Sequence, residues 1–273
     1  MSFLLSHVAQ VAAADGQSLQ MPVLFDAAER LPKPDLATLP RLRFLATVDF
    51  PPFSFVDQAG KLTGFHVDLV REICAVLAVE PKCQIQSMPF NDIANALESG
   101  GGEAAIAGNA VTAELRQRFA FSRPYTLIPA RFVQNLKVHL QGNAAEALKG
   151  RTVGVVQGTS HERMLTAFFA SVKPARFASQ EEMLEAVKAG TVDAAFSDGL
   201  RLPFWVASGA SNGCCALFDG PYLSQQFLGE GLSMMVRKDA PVVAPALNYA
   251  LAELSRNGRL QEIYLRYFPN GLF

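Results

Sequence analysis

A rhythm that occurs twice constrains this chain more than any other feature: a short apolar run, a segment with apolar residues three and four apart, then another apolar run. In the first copy Leu42-Arg43-Phe44-Leu45-Ala46-Thr47-Val48 reads as a buried strand closed by Pro51-Pro52, and Phe53 to Val56 as a strand that turns through Asp57 to Leu62 into Gly64-Phe65. Asp68 opens a helix with Leu69, Ile73, Val76 and Leu77 on one face, Pro81 ends it, and Gln84 to Met88 is the next strand. A helix over Asn91 to Ser99 is stopped by Gly100-Gly101-Gly102 ahead of a strand at Ala104 to Ala107. The second copy runs from a strand at Thr152 to Val156 through the turn Gly158-Thr159-Ser160 to a helix over His161 to Ser171 and a strand at Ala175 to Phe177. Ser179 with Glu182 forms a capping box for a helix through Ala189, and Val192 to Phe196 is another strand. Parallel strands need a crossover long enough to hold a helix, so this alternation predicts an α/β fold of two lobes, each on a mainly parallel central sheet.

The apolar run Gly231 to Val236 returns as a strand, and two helices follow, one on Val243, Leu247, Leu251 and Leu254 and one on Leu260, Ile263, Tyr264 and Tyr267. Residues 131–229 therefore look inserted into a first lobe made of 42–130 and 230–273, with crossings at Pro129 to Val133 and Gly229 to Leu232 that form a hinge. Residues 1–41, with Pro22, Pro32, Pro34 and Pro40 and no periodicity, read as an arm, partly disordered or lying on the surface. Within it, residues 1–14 read either as the remnant of an export signal or as a disordered segment.

Half of the residues are hydrophobic, 18% are charged and the formal net charge is −1, a balance that provides no surface for nucleic acid or an anionic membrane. No apolar run approaches the roughly 18 residues of a membrane span. His7, His66, His139 and His161 are scattered and no Cys-x-x-Cys occurs, so neither a metal site nor a cofactor is expected. Cys74 on a helix and Cys83 just past its end can close a disulfide, which would place the chain in an oxidising compartment; two buried thiols are the alternative. The adjacent Cys214 and Cys215 are either reduced or joined to each other.

The stretch Ala105 to Tyr125 is the densest in chemistry. A buried strand opens at Gly108, and a helix restarts behind Thr112, with Glu114 and Arg116 in its first turn. A capping hydroxyl, free amide groups and a cation within one turn suit a small anion; an ordinary capped surface helix is the plainer reading.

Seven segments in order across 42–268 make the chain resemble the amino-acid-type bacterial extracellular solute-binding proteins that feed ABC importers. They are Phe50-Pro51-Pro52-Phe53-Ser54-Phe55, Gly64-Phe65-His66-Val67-Asp68-Leu69, Ala107-Gly108-Asn109-Ala110-Val111-Thr112, Phe119-Ala120-Phe121-Ser122-Arg123-Pro124-Tyr125, Gly154-Val155-Val156-Gln157-Gly158-Thr159-Ser160, Val192-Asp193-Ala194-Ala195-Phe196-Ser197-Asp198, and Asn257-Gly258 before Tyr264. The resemblance implies a type II periplasmic-binding-protein fold, export to the periplasm, a monomer that closes on a small polar ligand, and an importer permease as partner. It implies no catalysis. Carried over by position, Phe50 and Phe90 sandwich the ligand, Gly108 and Thr112 serve its ammonium with Asn109 beside them, Thr159 and Ser160 hold its carboxylate, and Asp198 pairs with the ammonium. Leu115 stands where the family usually has a carboxylate-binding arginine, and Arg116 comes one residue, about 100° of helix, later. Ala110 replaces a usual hydroxyl, so a modified amino acid, a small carboxylate or an amine stays open as ligand. Two other roles are compatible with the resemblance: a cyclohexadienyl-dehydratase-like enzyme, for which Glu230 is the nominated acid, and a sensor without transport.

Overall fold

The computed structural model describes residues 24–109, 111–269 and 271–272. The export-signal reading, the first part of the arm and Ala110 lie outside them. The first lobe opens with β1 (Leu42–Ala46), the small three-stranded sheet β2 (Asp49–Phe50), β3 (Ser54–Val56) and β4 (Leu62–Thr63), then α1 (Phe65–Leu77), β5 (Cys83–Ser87), α2 (Phe90–Glu98) and β6 (Ala104–Ala105). The chain continues through α3 (Ala113–Arg118) and β7 (Phe119–Phe121). The second lobe holds β8 (Ala130–Asn135), α4 (Ala144–Ala147), β9 (Thr152–Val156), α5 (Ser160–Phe168), β10 (Lys173–Phe177), α6 (Gln180–Ala189), β11 (Ala194–Asp198), α7 (Arg201–Ala207), β12 (Cys215–Tyr222) and α8 (Gln225–Leu228). β13 (Met235–Arg237), α9 (Val243–Arg256) and α10 (Arg259–Tyr267) return to the first.

Among the described residues each lobe carries a five-stranded sheet, ordered β5-β1-β6-β13-β7 and β10-β9-β11-β8-β12. Both are mixed: β5, β1 and β6 run parallel, as do β10, β9 and β11, while β13 and β7 in one lobe and β8 and β12 in the other are antiparallel to their neighbours. The parallel half of each sheet is the βαβ rhythm of the sequence, and the antiparallel half is the pair of strands beside the crossings.

Period-two alternation sorts the strand residues onto two faces. In the first lobe Phe44, Ala104 and Val236 face α1, α9 and α10, while Leu45, Ala105 and Met235 face Ile93 and Leu97 of α2. In the second, Phe132, Val155 and Phe196 pack on Met164 and Leu165 of α5, and Val133 and Ala195 on Met183 and Val187 of α6.

Helix α1 starts three residues before the expected Asp68 because the turn after β2 supplies its cap: the amides of Phe65 and His66 donate to Pro52 O and Phe53 O at 3.0 and 2.8 Å. Only glycine fits at 64, where a Cβ would lie 2.4 Å from Phe53 O. The helix ends at Leu77 on a left-handed Ala78, ahead of Pro81, which sits in a short 3₁₀ turn. The arm residues 24–41 contain no helix or strand; Phe25 and Leu36 are buried in the first core, and Glu29 pairs with Arg123. Cys74 and Cys83 form the disulfide between α1 and β5, with Cα atoms 6.3 Å apart, and Cys214 is joined to Cys215. The outgoing crossing is short, since residues 130–133 already belong to β8; Thr126 and Leu232 form an antiparallel bridge at the first lobe's edge.

Candidate functional site

In open α/β sheets ligands collect beyond the carboxyl ends of the strands, where loops turn back to helices. Three such ends carry the residues singled out in the sequence. The loop leaving β6 holds Gly108 and Asn109, the turn after β9 holds Thr159 and Ser160, and Asp198 closes β11.

Gly108 adopts φ +79° with the Phe50 ring against it; a Cβ there would sit 2.5 Å from Phe50 Cε1. Phe50 stacks on Phe53 with centroids 4.8 Å apart, and behind them the buried His66 Nε2 lies 2.8 Å from the Tyr125 hydroxyl. Burial lowers the His66 pKa to about 3, its Nδ1 lying beside the Ile106 backbone without an aligned partner. Asn109 Oδ1 is likewise buried and without a partner among the described residues. A buried carbonyl oxygen left unpaired is destabilising by about 1–3 kcal/mol, which a donor from outside would relieve.

The anion corner of the first lobe is already committed. Thr112 Oγ1 caps α3 by accepting from Leu115 N at 3.2 Å, and Arg116 donates to Glu230 Oε2 at 2.7 Å while its guanidinium lies 5.8 Å from the Phe121 ring centre. Phe90 is exposed at the first position of α2 and makes no ring contact with Phe50.

The start of α5 is also occupied. Glu162 reaches back to accept from Gly158 N at 2.7 Å, its own amide donates to Thr159 Oγ1 at 3.2 Å, and Arg176 pairs with its carboxylate. Backbone and guanidinium donors together hold the Glu162 carboxyl below its usual range. Ser160 Oγ accepts from Arg163 at 3.0 Å. Asp198 uses Oδ1 to accept from Leu200 N at 2.6 Å, turning the chain into α7. Its neighbour His161 is mostly buried, which depresses its pKa against the pull of the Asp198 charge, and its Nε2 has no partner among the described residues.

Sequence reasoning missed a cavity of about 480 Å³ that both lobes line. Asp49, Phe50, Pro51, Pro52 and Phe55 form one wall, Arg201 and Phe204 the other. Phe50 borders both this cavity and the Gly108 loop, so the two spaces share one ring. Arg201 follows Asp198 by three residues, a proximity visible in the sequence, but α7 itself was not. Among the described residues no cluster of three or more His, Cys, Asp or Glu could hold a metal ion, and no helix is long and apolar enough to cross a membrane.

The sequence pattern of the bacterial extracellular solute-binding proteins, family 3, matches residues 42–270. The chain is 31% identical over 223 residues to the L-arginine-binding protein of Pseudomonas aeruginosa, covering 80% of this chain and 84% of that protein. It superposes on an ancestral arginine-binding protein bound to arginine with TM-score 0.56 and 32% identity, over 84% of this chain and 98% of that one. The second substrate-binding domain of a putative amino acid ABC transporter from Streptococcus pneumoniae gives TM-score 0.71 and 25% identity, over 83% of this chain and 99% of the other.

Proposed function

Because the chain belongs to family 3 of the bacterial extracellular solute-binding proteins, we propose that it is a periplasmic receptor whose two lobes close on an amino acid or a related small zwitterion and present it to an ABC importer. Residues 42–130 with 230–273 act as one lobe and 131–229 as the other, hinged at the two crossings. The observation that carries the reading is a pair of acceptors, one per lobe, at the carboxyl ends of β6 and β11. Asn109 Oδ1 is buried with no donor, and Asp198 keeps one carboxylate oxygen without a partner among the described residues. An ammonium group brings up to three donors and one positive charge, so it satisfies both acceptors only when the lobes meet over it. Phe50 offers the apolar wall beside it. Contacts to both lobes at once shift the population toward the closed form. The arginine recognised by the named relatives is such a zwitterion.

The enzyme reading loses its nominated acid, since Glu230 is half exposed and paired with Arg116 rather than secluded in an apolar pocket. Calorimetry on protein freed of carried-over ligand, against a panel of amino acids, small carboxylates and amines, tests the receptor reading. Binding of one chemical group of the panel is expected, with a free ligand concentration of about 100 times Kd adding ~2.7 kcal/mol of stability. A panel in which no member binds or stabilises the protein overturns it.

A further inference from the structure

Leu200 and Leu202 stand two residues apart, yet they are buried in different lobes. Leu202 belongs to the second lobe's core with Val133, Met183 and Val187. Leu200 is 3% exposed and belongs to the first lobe's core with Tyr125, Leu232, Phe268 and Leu272; among the described residues of 131–229 it is the only one buried there. The start of α7 is therefore fixed to both cores at once. The segment leading into it is wedged against the outgoing crossing: Gly199 N donates to Pro129 O at 2.8 Å, and a Cβ on Gly199 would lie 2.9 Å from that oxygen. Asp198 pairs in register with Ala130, and Arg131, the next residue along β8, donates across to Leu272 O of the first lobe at 3.2 Å. When two lobes turn against each other, every atom moves in proportion to its distance from the axis of the turn. Drawing Leu200 out of the first core would return a whole leucine side chain to water, so the motion that keeps its burial turns the second lobe about Leu200.

We propose that Leu200 is the pivot of closure and the residue that positions Asp198: seated in the first lobe, it holds the corner Asp198-Gly199-Leu200 so that closure brings Asp198 to the ammonium site along a short, fixed path. The role rests on the receptor reading above. The link between the two residues is direct, because Asp198 Oδ1 accepts from Leu200 N at 2.6 Å and the carboxylate cannot shift without the leucine's backbone. Arg201 and Phe204 leave the same corner to line the cavity, so the pivot also places that wall. The strand order β9-β11-β8 puts the Thr159-Ser160 turn one strand, about 4.8 Å, farther from the crossing strand than Asp198. The start of α5 therefore sweeps the longer arc, and Asp198 the shorter.

Leu200→Ala, Leu200→Met and Leu202→Ala are compared with native protein, Leu202→Ala serving as a buried neighbour that belongs to one lobe alone. Small-angle scattering of the unliganded proteins is expected to give Leu200→Ala a larger radius of gyration than native protein, and Leu200→Met and Leu202→Ala the native value, although both alanine variants melt at lower temperature. In calorimetry with L-arginine and L-glutamine as probes, Leu200→Ala is expected to weaken the tighter of the two about tenfold, and Leu202→Ala by about threefold at most. With Asp198→Asn already present, Leu200→Ala is expected to weaken it by about threefold at most, because the group it positions is gone. The pivot is overturned if Leu200→Ala keeps the native radius. The positioning role is overturned if the two alanine variants weaken binding alike, or if Leu200→Ala adds its full effect to that of Asp198→Asn. Should Leu200→Ala fail to fold, Leu200→Val carries the same comparisons. Native protein that binds neither probe nor any other L-amino acid overturns the receptor reading, and the scattering comparison then decides the pivot by itself.

Discussion

His66 is wholly buried among Phe50, Phe53, Phe65 and Tyr125, so its neutral imidazole is a stability device with a pH signature. The unfolded chain takes up a proton near pH 6.5 that the folded protein refuses until about pH 3. Stability is therefore fully present above pH 6.5 and declines as pH falls through that window, by up to ~1.4 kcal/mol per pH unit from this one group. Urea midpoints measured from pH 7 to pH 4 should show the decline, and His66→Gln should flatten it. Gly108→Ala should destabilise by ~1–3 kcal/mol and weaken ligand binding, since a left-handed backbone and the Phe50 ring both oppose a Cβ; denaturation and calorimetry on the same sample read both effects. Gly108 was legible as the break in an apolar run, whereas Asn109 and Asp198 were singled out only through the family resemblance. Glu162 and Glu230 could not be recognised as occupants of the expected anion corners, because that depends on which long side chain reaches which neighbour. Asp49 and Arg201 line one cavity from two lobes, an apposition that no local pattern encodes.

Elements with a clean period were legible, and those built on breakers were not. Thr152–Val156 was placed to the residue, and Val243, Leu247, Leu251 and Leu254 of α9 and Leu260, Ile263 and Tyr264 of α10 are buried as their uninterrupted apolar spacing predicts. Helix α7 escaped notice with Pro203 in its seven residues, and β12 with a register shift between Phe218 and Tyr222 around Gly220-Pro221. The Ser179 cap formed as expected, with Glu182 N donating to its hydroxyl at 3.1 Å, but Glu182 reaches back to Ala178 N rather than to Ser179 N. Ser179→Ala should lower stability by ~1 kcal/mol in chemical denaturation, and Ser179→Asp should restore it. The Cys74–Cys83 bond closes a nine-residue separation between α1 and β5. Replacing both cysteines by serine should lower stability by ~2–3 kcal/mol under non-reducing conditions, the loop-entropy expectation for a short closed loop.

At the scale of the whole molecule, Arg116 and Glu230 tie α3 to the return crossing beside the hinge. The pair is half exposed on both sides, so Glu230→Gln should change global stability by less than about 1 kcal/mol. Its place at the hinge predicts a larger effect on shape: small-angle scattering of the unliganded variant should show a radius of gyration different from that of native protein, with the two converging when ligand saturates the cleft. The same topology dictates an order of assembly. In the first sheet β6 and β7 do not touch; β13 lies between them, and β13 is separated from β7 by the whole of the second lobe. The second sheet draws all its strands from one uninterrupted stretch, 130–222. As the chain emerges from its amino end, the inserted lobe holds everything it needs while the outer lobe still has an empty slot at its centre. The part of the molecule begun first is thus completed last, and until β13 arrives the exposed edges of β6 and β7 are the surfaces on which a stalled chain would pair wrongly.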